Sequence, residues 1–144
     1  MNKNNNNKVA YALIGLGFAA LLSSYALPVF GGVIFSDKIM HGWEVAFFTI
    51  AGLLNIFDGG LELILAGLFI SNLVLFAAII LFFFRGNTFR YYKYILAVSL
   101  LYVLLVSILV LKPGTYEAGY YMYIMSFIII GAALFMKSKQ FIKK

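Results

Sequence analysis

Apolar and polar positions divide this chain into four long apolar runs with short polar breaks between them. The first run covers residues 9–30. As a helix rising 1.5 Å per residue it reaches about 33 Å, enough for a bilayer core of roughly 30 Å. Pro28 and Gly31-Gly32 end it. The second run, 61–84, opens after Gly59-Gly60 and closes at Arg85-Gly86-Asn87. The third, 94–111, stops at Lys112-Pro113-Gly114, a strong tight-turn signal. The fourth, 116–136, follows at once, so spans three and four are expected to form an antiparallel hairpin. Ser24-Tyr25-Ala26 has the small-x-small form of a signal-peptide cleavage site, but the first run is read as a retained span.

The long connection from 31 to 60 has a pattern of its own. Trp43, Phe47, Ile50, Leu54 and Phe57 recur at alternating spacings of four and three, which is one stripe of a helix. Glu44, Thr49, Asn55 and Asp58 fall off that stripe. The segment is too short to cross a bilayer, so 43–57 is read as an amphipathic helix in the outer interface or folded back onto the spans. Trp43 suits the headgroup level. The polar start, 1–8, is expected to be a disordered tail, and 137–144 a basic tail. The expected architecture is an all-α membrane protein in a single integral domain. Four transmembrane helices form a bundle, with a short interfacial helix between spans one and two.

Charge sets the orientation. With the N-terminus inside, all but Lys38 and Lys112 of the 11 basic residues fall on the cytoplasmic side. All five acids, Asp37, Glu44, Asp58, Glu62 and Glu117, fall on the outer side. Treating 45–57 as a fifth crossing would scatter both sets. The chain is therefore placed as a multi-pass protein of a plasma membrane, both termini cytoplasmic. Its Asn, Lys, Phe and Ile richness suggests an AT-rich bacterial genome and hence a bacterial inner membrane. Tyr116, Tyr120 and Tyr121 at the outer end of span four, and Tyr91, Tyr92 and Tyr94 at the inner end of span three, fit aromatic belts.

Composition agrees. Hydrophobic residues make up 64% and charged residues 11% of 144 positions, and mean hydropathy is +0.99. A soluble chain of this size cannot bury that much apolar surface. The net charge of +6 is explained by the basic residues flanking the spans, so no nucleic-acid partner is inferred. There is no cysteine, which removes disulfides, thiol chemistry and cysteine-held metals.

Candidate chemistry is sparse. Ionisable groups at mid-bilayer are costly and mark function, and the spans contain none. Glu62, one turn inside the second span, is read as a carboxylate favoured by the helix dipole, with a cation or proton site at the lip as the alternative. Asn72, beside Ser71, is the most polar mid-span residue. It is read as helix-packing glue, worth about 0.6–2 kcal/mol, or else as part of a solute path with Ser99, Tyr102, Ser107 and Ser126. Gly15, Ala19 and Ser23 place small residues every fourth position of span one, a spacing that lets helix backbones approach within the chain or between chains. Gly131, Ala132 and Ala133 form a looser small patch.

His41 would share a helical face with Asp37 and Glu44, a possible divalent-metal set, but Gly42 weakens the helix this needs; the loop reading is preferred and no metal or cofactor is inferred. Asp37, Glu44, Asp58 and Glu62 make the outer face acidic. Arg85, Arg90, Lys93, Lys137, Lys139, Lys143 and Lys144 are candidate contacts to anionic lipid headgroups on the inner face.

No group set suits a protease, a metal-dependent hydrolase or a thiol oxidoreductase, and no phosphate loop is present. Small four-helix multidrug exporters have similar length but carry a glutamate inside their first span. Here no charge lies between Lys8 and Asp37, so that family is not assigned. The preferred reading is a non-enzymatic interaction protein: an accessory or assembly subunit, or a homo-oligomeric scaffold, whose partner is another membrane protein or copies of itself. An oligomeric pore or simple transporter is the first alternative, and an immunity protein against a toxin or bacteriocin the second.

Overall fold

A computed structural model describes residues 3–30, 39–55, 59–83, 89–110 and 116–142. The elements in order are α1 (Lys3–Ala26), β1 (Pro28–Phe30), β2 (Met40–His41), α2 (Gly42–Leu54), α3 (Leu61–Phe83), α4 (Phe89–Val110) and α5 (Ala118–Ile142). Asn7–Ala26, Glu62–Phe83, Tyr91–Ile108 and Ala118–Ser138 are long and apolar enough to cross a membrane. The chain thus has the make-up of a multi-pass helical membrane protein. Large apolar side chains such as Leu16, Leu22, Ile70, Ile80, Val98, Leu105 and Ile108 are exposed, as lipid-facing positions must be.

The limits of α1 differ from the sequence reading at both ends. It begins at Lys3, so the Asn-rich start continues the helix instead of forming a disordered tail. Once an apolar run has nucleated a helix, extending it fixes one further residue per hydrogen bond, which polar residues tolerate. The helix stops at Ala26, not at residue 30. Its last bond runs from the Leu27 N–H to the Ser23 carbonyl at 3.0 Å. Pro28 has no N–H to continue and disfavours helix at the residue before it.

A two-stranded antiparallel ribbon follows, an exception to the all-helical expectation. Pro28 stands opposite His41 and Phe30 opposite Met40. The Glu117 N–H donates to the Val29 carbonyl at 3.0 Å and ties the start of α5 to the ribbon.

α2 forms with bounds close to the expected ones, and its apolar stripe faces outward. Trp43, Phe47, Ile50 and Leu54 are exposed, while Gly42, Thr49 and Gly52 are buried. Phe57 and Asp58 lie outside the described residues. The choice of buried face follows from size. A Cβ on Gly52 would overlap the Leu65 side chain of α3, and one on Gly42 would overlap the Ser24 carbonyl of α1. Only the small-residue side of α2 can approach the long helices closely. The helix opens on His41, whose extended N–H donates to the Glu44 carboxylate at 2.7 Å. After Asn55, Gly59 and Gly60 take positive φ (78° and 62°), which side chains resist, and turn the chain into α3.

α1 lies along α5, α2 along α3, α3 along α4, and α4 along α5. α1 and α5 pack extensively, and Gly17 permits it by having no side chain: a Cβ there would sit 2.5 Å from Ile130 Cγ1. Below this contact Ile14, Leu75, Ala78, Phe82, Ala133 and Leu134 fill an apolar core. We call the end where α1 stops and α5 starts the upper end.

Candidate functional site

Aromatic hydroxyls join the helices. In lipid each polar group needs a protein partner, and a tyrosine reaches past its own helix to find one. Tyr92 on α4 donates to the Val74 carbonyl of α3 at 2.9 Å, and Tyr102 on α4 donates to the Ile64 carbonyl at 3.1 Å. Tyr102 can lie flat on α3 because Gly67 is beneath it; a Cβ on Gly67 would strike the phenol. Tyr116, ahead of α5, donates to the Ser107 carbonyl at 2.7 Å.

At the upper end the helices part around a cleft with an interior of about 70 Å³. Its walls come from the last turns of α1 (Ser24, Tyr25), from α2 (Val45, Ala46, Thr49), α3 (Leu68, Asn72), α4 (Val103, Val106, Ser107) and α5 (Tyr120, Tyr123), with Val29 of the ribbon. No lining side chain carries a charge at neutral pH. The Tyr25 hydroxyl donates to Asn72 Oδ1 at 3.1 Å, and Asn72 Nδ2 donates to the Leu68 carbonyl at 3.3 Å. Asn72 therefore links α3 to the end of α1. Ser24, Thr49 and Ser107 donate to the carbonyls of Leu21, Ala46 and Val103 at 2.6, 2.7 and 2.7 Å. The hydroxyl of Tyr123 is different: it is fully buried and has no hydrogen-bond partner among the described residues.

Of the side chains grouped with Asn72 as a possible solute path, only Ser107 shares its cleft. Ser71 and Ser126 donate to their own helices, at the carbonyls of Gly67 and Tyr123, and Tyr102 is engaged by Ile64. On α1 the small stripe faces outward. Gly15 and Ala19 are exposed, Ser23 is half-buried, and a Cβ on Gly15 would meet nothing within 4 Å. Within the chain α1 packs through the opposite side, by Ala10, Ile14, Gly17, Leu21 and Ser24.

The charged residues do not converge. Glu44 is occupied at the start of α2, with His41 Nδ1 3.5 Å from its Oε2. His41 precedes α2 in extended backbone, so it is not on the helix that a His41–Glu44–Asp37 metal set would need. Glu62 is half-buried in the first turn of α3. No group of three potential metal ligands occurs among the described residues. Asp37, Asp58, Arg85, Lys143 and Lys144 lie outside the described residues, and nothing is described of the side chains of Arg90 and Lys139.

Lys93 lies over the Tyr94 and Phe135 rings, at 5.0 and 5.5 Å from their centres. Lys137 is buried: its ammonium donates to the Phe82 carbonyl and stands 4.2 Å from the centre of the Phe82 ring. It thereby meets one of the carbonyls that α3 leaves unpaired at its end, where a cation is favoured.

Sequence reasoning passed over Gly17, Gly67, Tyr25 and Tyr123. Gly17 is two residues from Gly15, and spacing alone does not tell which of the two faces the protein. Tyr92, read as part of a headgroup belt, bonds to α3 instead, and Tyr25, which carried no packing role in the sequence reading, bonds to Asn72.

Comparisons with models of protein families, with curated proteins and with solved structures find no match to this chain.

Proposed function

We propose that this chain is a non-enzymatic interaction protein of a bacterial plasma membrane, an accessory or assembly subunit or a homo-oligomeric scaffold. Its four spans form a bundle with both ends cytoplasmic. α2 lies in the outer interface, turning the stripe that begins at Trp43 to lipid. The outward face of α1, carrying Gly15 and Ala19, receives a transmembrane helix of another subunit or of a second copy.

The observation that carries the reading is the open space over Gly15. A glycine inside a helix gives up about 1 kcal/mol of helix propensity relative to alanine, and here the chain itself gains no close contact in return. An approaching helix backbone would use that space, since association in lipid relies on close packing of small residues. The charge distribution and the exposed aromatic residues of α2 support the placement in the membrane. Arg85, Arg90, Lys93, Lys139, Lys143 and Lys144 are left to face anionic headgroups, with Lys137 drawn into the protein instead.

Mass determination of the protein extracted gently from its membrane tests the reading. The expected result is a complex larger than one 16.1 kDa chain, lost in Gly15→Leu while the variant keeps wild-type helix content. A complex that survives Gly15→Leu would defeat the assignment of this face. A closed ring of identical copies would bring the pore reading forward and call for flux assays.

A further inference from the structure

We propose that one anionic phospholipid seats in the groove between α4 and α5 at the lower end, with its phosphate on Lys93 and an acyl chain on Gly131. The proposal rests on the reading that the basic end faces anionic headgroups, and it narrows a diffuse attraction to a single site. Lys93 sets the headgroup position. Its ammonium stands 5.0 Å from the centre of the Tyr94 ring on its own helix and 5.5 Å from that of Phe135 on α5, so rings from two helices hold it at the groove. A ring attracts the cation through its quadrupole and does not neutralise it. The described acids, Glu44, Glu62 and Glu117, all belong to the upper end, by the starts of α2, α3 and α5. Among the described residues, then, no carboxylate answers this charge, and a phosphate would.

The groove also has room for the acyl chain. Gly131 lies one turn above Phe135 on α5 and is half-buried, and a Cβ there would have one neighbour within 4 Å, Leu96 Cδ2 of α4 at 3.5 Å. The glycine thus leaves the groove open above the lysine, where a larger side chain would fill it. Tyr94 and Phe135 are exposed and present apolar ring surface at its mouth. Tyr94 adds a hydroxyl, the amphipathic make-up that suits the headgroup level. Charge below and uncovered apolar surface above match the two halves of a phospholipid, whereas a free phosphate would use only the first.

The test uses the full chain in alkyl-glycoside micelles, with lipid adducts counted by native mass spectrometry. The probes are phosphatidylglycerol and diacylglycerol with the same acyl chains. Phosphatidylglycerol should bind the wild type more tightly than diacylglycerol does. Lys93→Gln should weaken phosphatidylglycerol roughly 10-fold or more, the worth of a hydrogen bond between charged groups, and leave diacylglycerol unchanged. Lys8→Gln removes an exposed cation of the same end and should cost about 5-fold or less, the diffuse attraction of one surface lysine. Gly131→Leu, which fills the groove and keeps Lys93, should weaken both probes. All three variants should keep wild-type helix content.

Equal losses in Lys93→Gln and Lys8→Gln overturn the proposal and leave the wider reading standing, since the basic end would then attract headgroups with no built site. Equal binding of the two probes by the wild type removes both. Phosphatidylglycerol displaced by inorganic phosphate, or bound by Gly131→Leu as by the wild type, would mean an anion site that takes no acyl chain, and the lipid would not be its occupant.

Discussion

Substituting alanine for Gly17 or for Gly15 places the same methyl group two residues apart on one helix, with opposite surroundings. Each change gains the same helix propensity, up to about 1 kcal/mol, so that term cancels between the two variants. What remains is packing. At Gly17 the new carbon falls 2.5 Å from Ile130 Cγ1, 3.3 Å from the Ile130 nitrogen and 3.4 Å from Ile129 Cγ2. Ile130 has no exposed surface and sits in the core, so its side chain cannot swing aside, and the neighbouring nitrogen belongs to the α5 backbone. Relief requires α1 and α5 to separate, at the usual overpacking cost of about 1–3 kcal/mol. At Gly15 the new carbon meets nothing.

Gly17→Ala should therefore be less stable than Gly15→Ala by about 1–3 kcal/mol. That is roughly a 5- to 150-fold difference in the unfolding equilibrium. The assay is reversible unfolding in mixed micelles with rising denaturing detergent, followed by far-ultraviolet circular dichroism. It is run at protein dilutions where both variants are monomeric, so that association through Gly15 does not enter. Equal stabilities, or a less stable Gly15→Ala, would show that α1 does not meet α5 through Gly17, and the helix packing described above would be wrong.

The Tyr102 phenol and Gly67 should be strongly coupled: Gly67→Ala is expected to destabilise by about 1–3 kcal/mol in the wild type and far less in a Tyr102→Ala background, whereas additive effects in the double-mutant cycle would remove the contact. Lys137→Met keeps the length and removes the charge that meets the Phe82 carbonyl, so hydrogen exchange should accelerate in the last turn of α3 and stability should fall by about 1.5–3 kcal/mol; exchange equal to wild type would mean that the lysine does not hold that helix end.

The number and order of the long helices were legible in the sequence because each is a local property. A run of about twenty apolar residues can satisfy its backbone in lipid only by becoming a helix, whatever its neighbours do. Pro28, Gly59 and Gly60 act locally too, through a missing N–H and through positive φ. The face that each helix presents was not legible. In water, apolar residues point inward and a stripe names its own direction. In lipid both faces are apolar, and the rule loses its force. α2 shows the consequence: the stripe of Trp43, Phe47, Ile50 and Leu54 suited either an interfacial or a folded-back helix, and only the packing shows it exposed, with Gly42, Thr49 and Gly52 making the contacts. α1 shows it again in Gly15 and Gly17, equivalent by residue type and separated only by the position of Ile130.

The cleft lies further from the sequence. Asn72 stood out by its polarity, but its partner Tyr25 is 47 residues away, and Tyr123 belongs to the last helix. Polarity is written at one position, whereas satisfaction of a polar group is a relation among helices brought together by packing. The sequence determined that the chain enters a membrane, because transfer free energy sums residue by residue. Tertiary structure alone decided which glycine is covered, which lysine is buried and which hydroxyl lacks a partner, because those depend on distances between segments that no local pattern encodes.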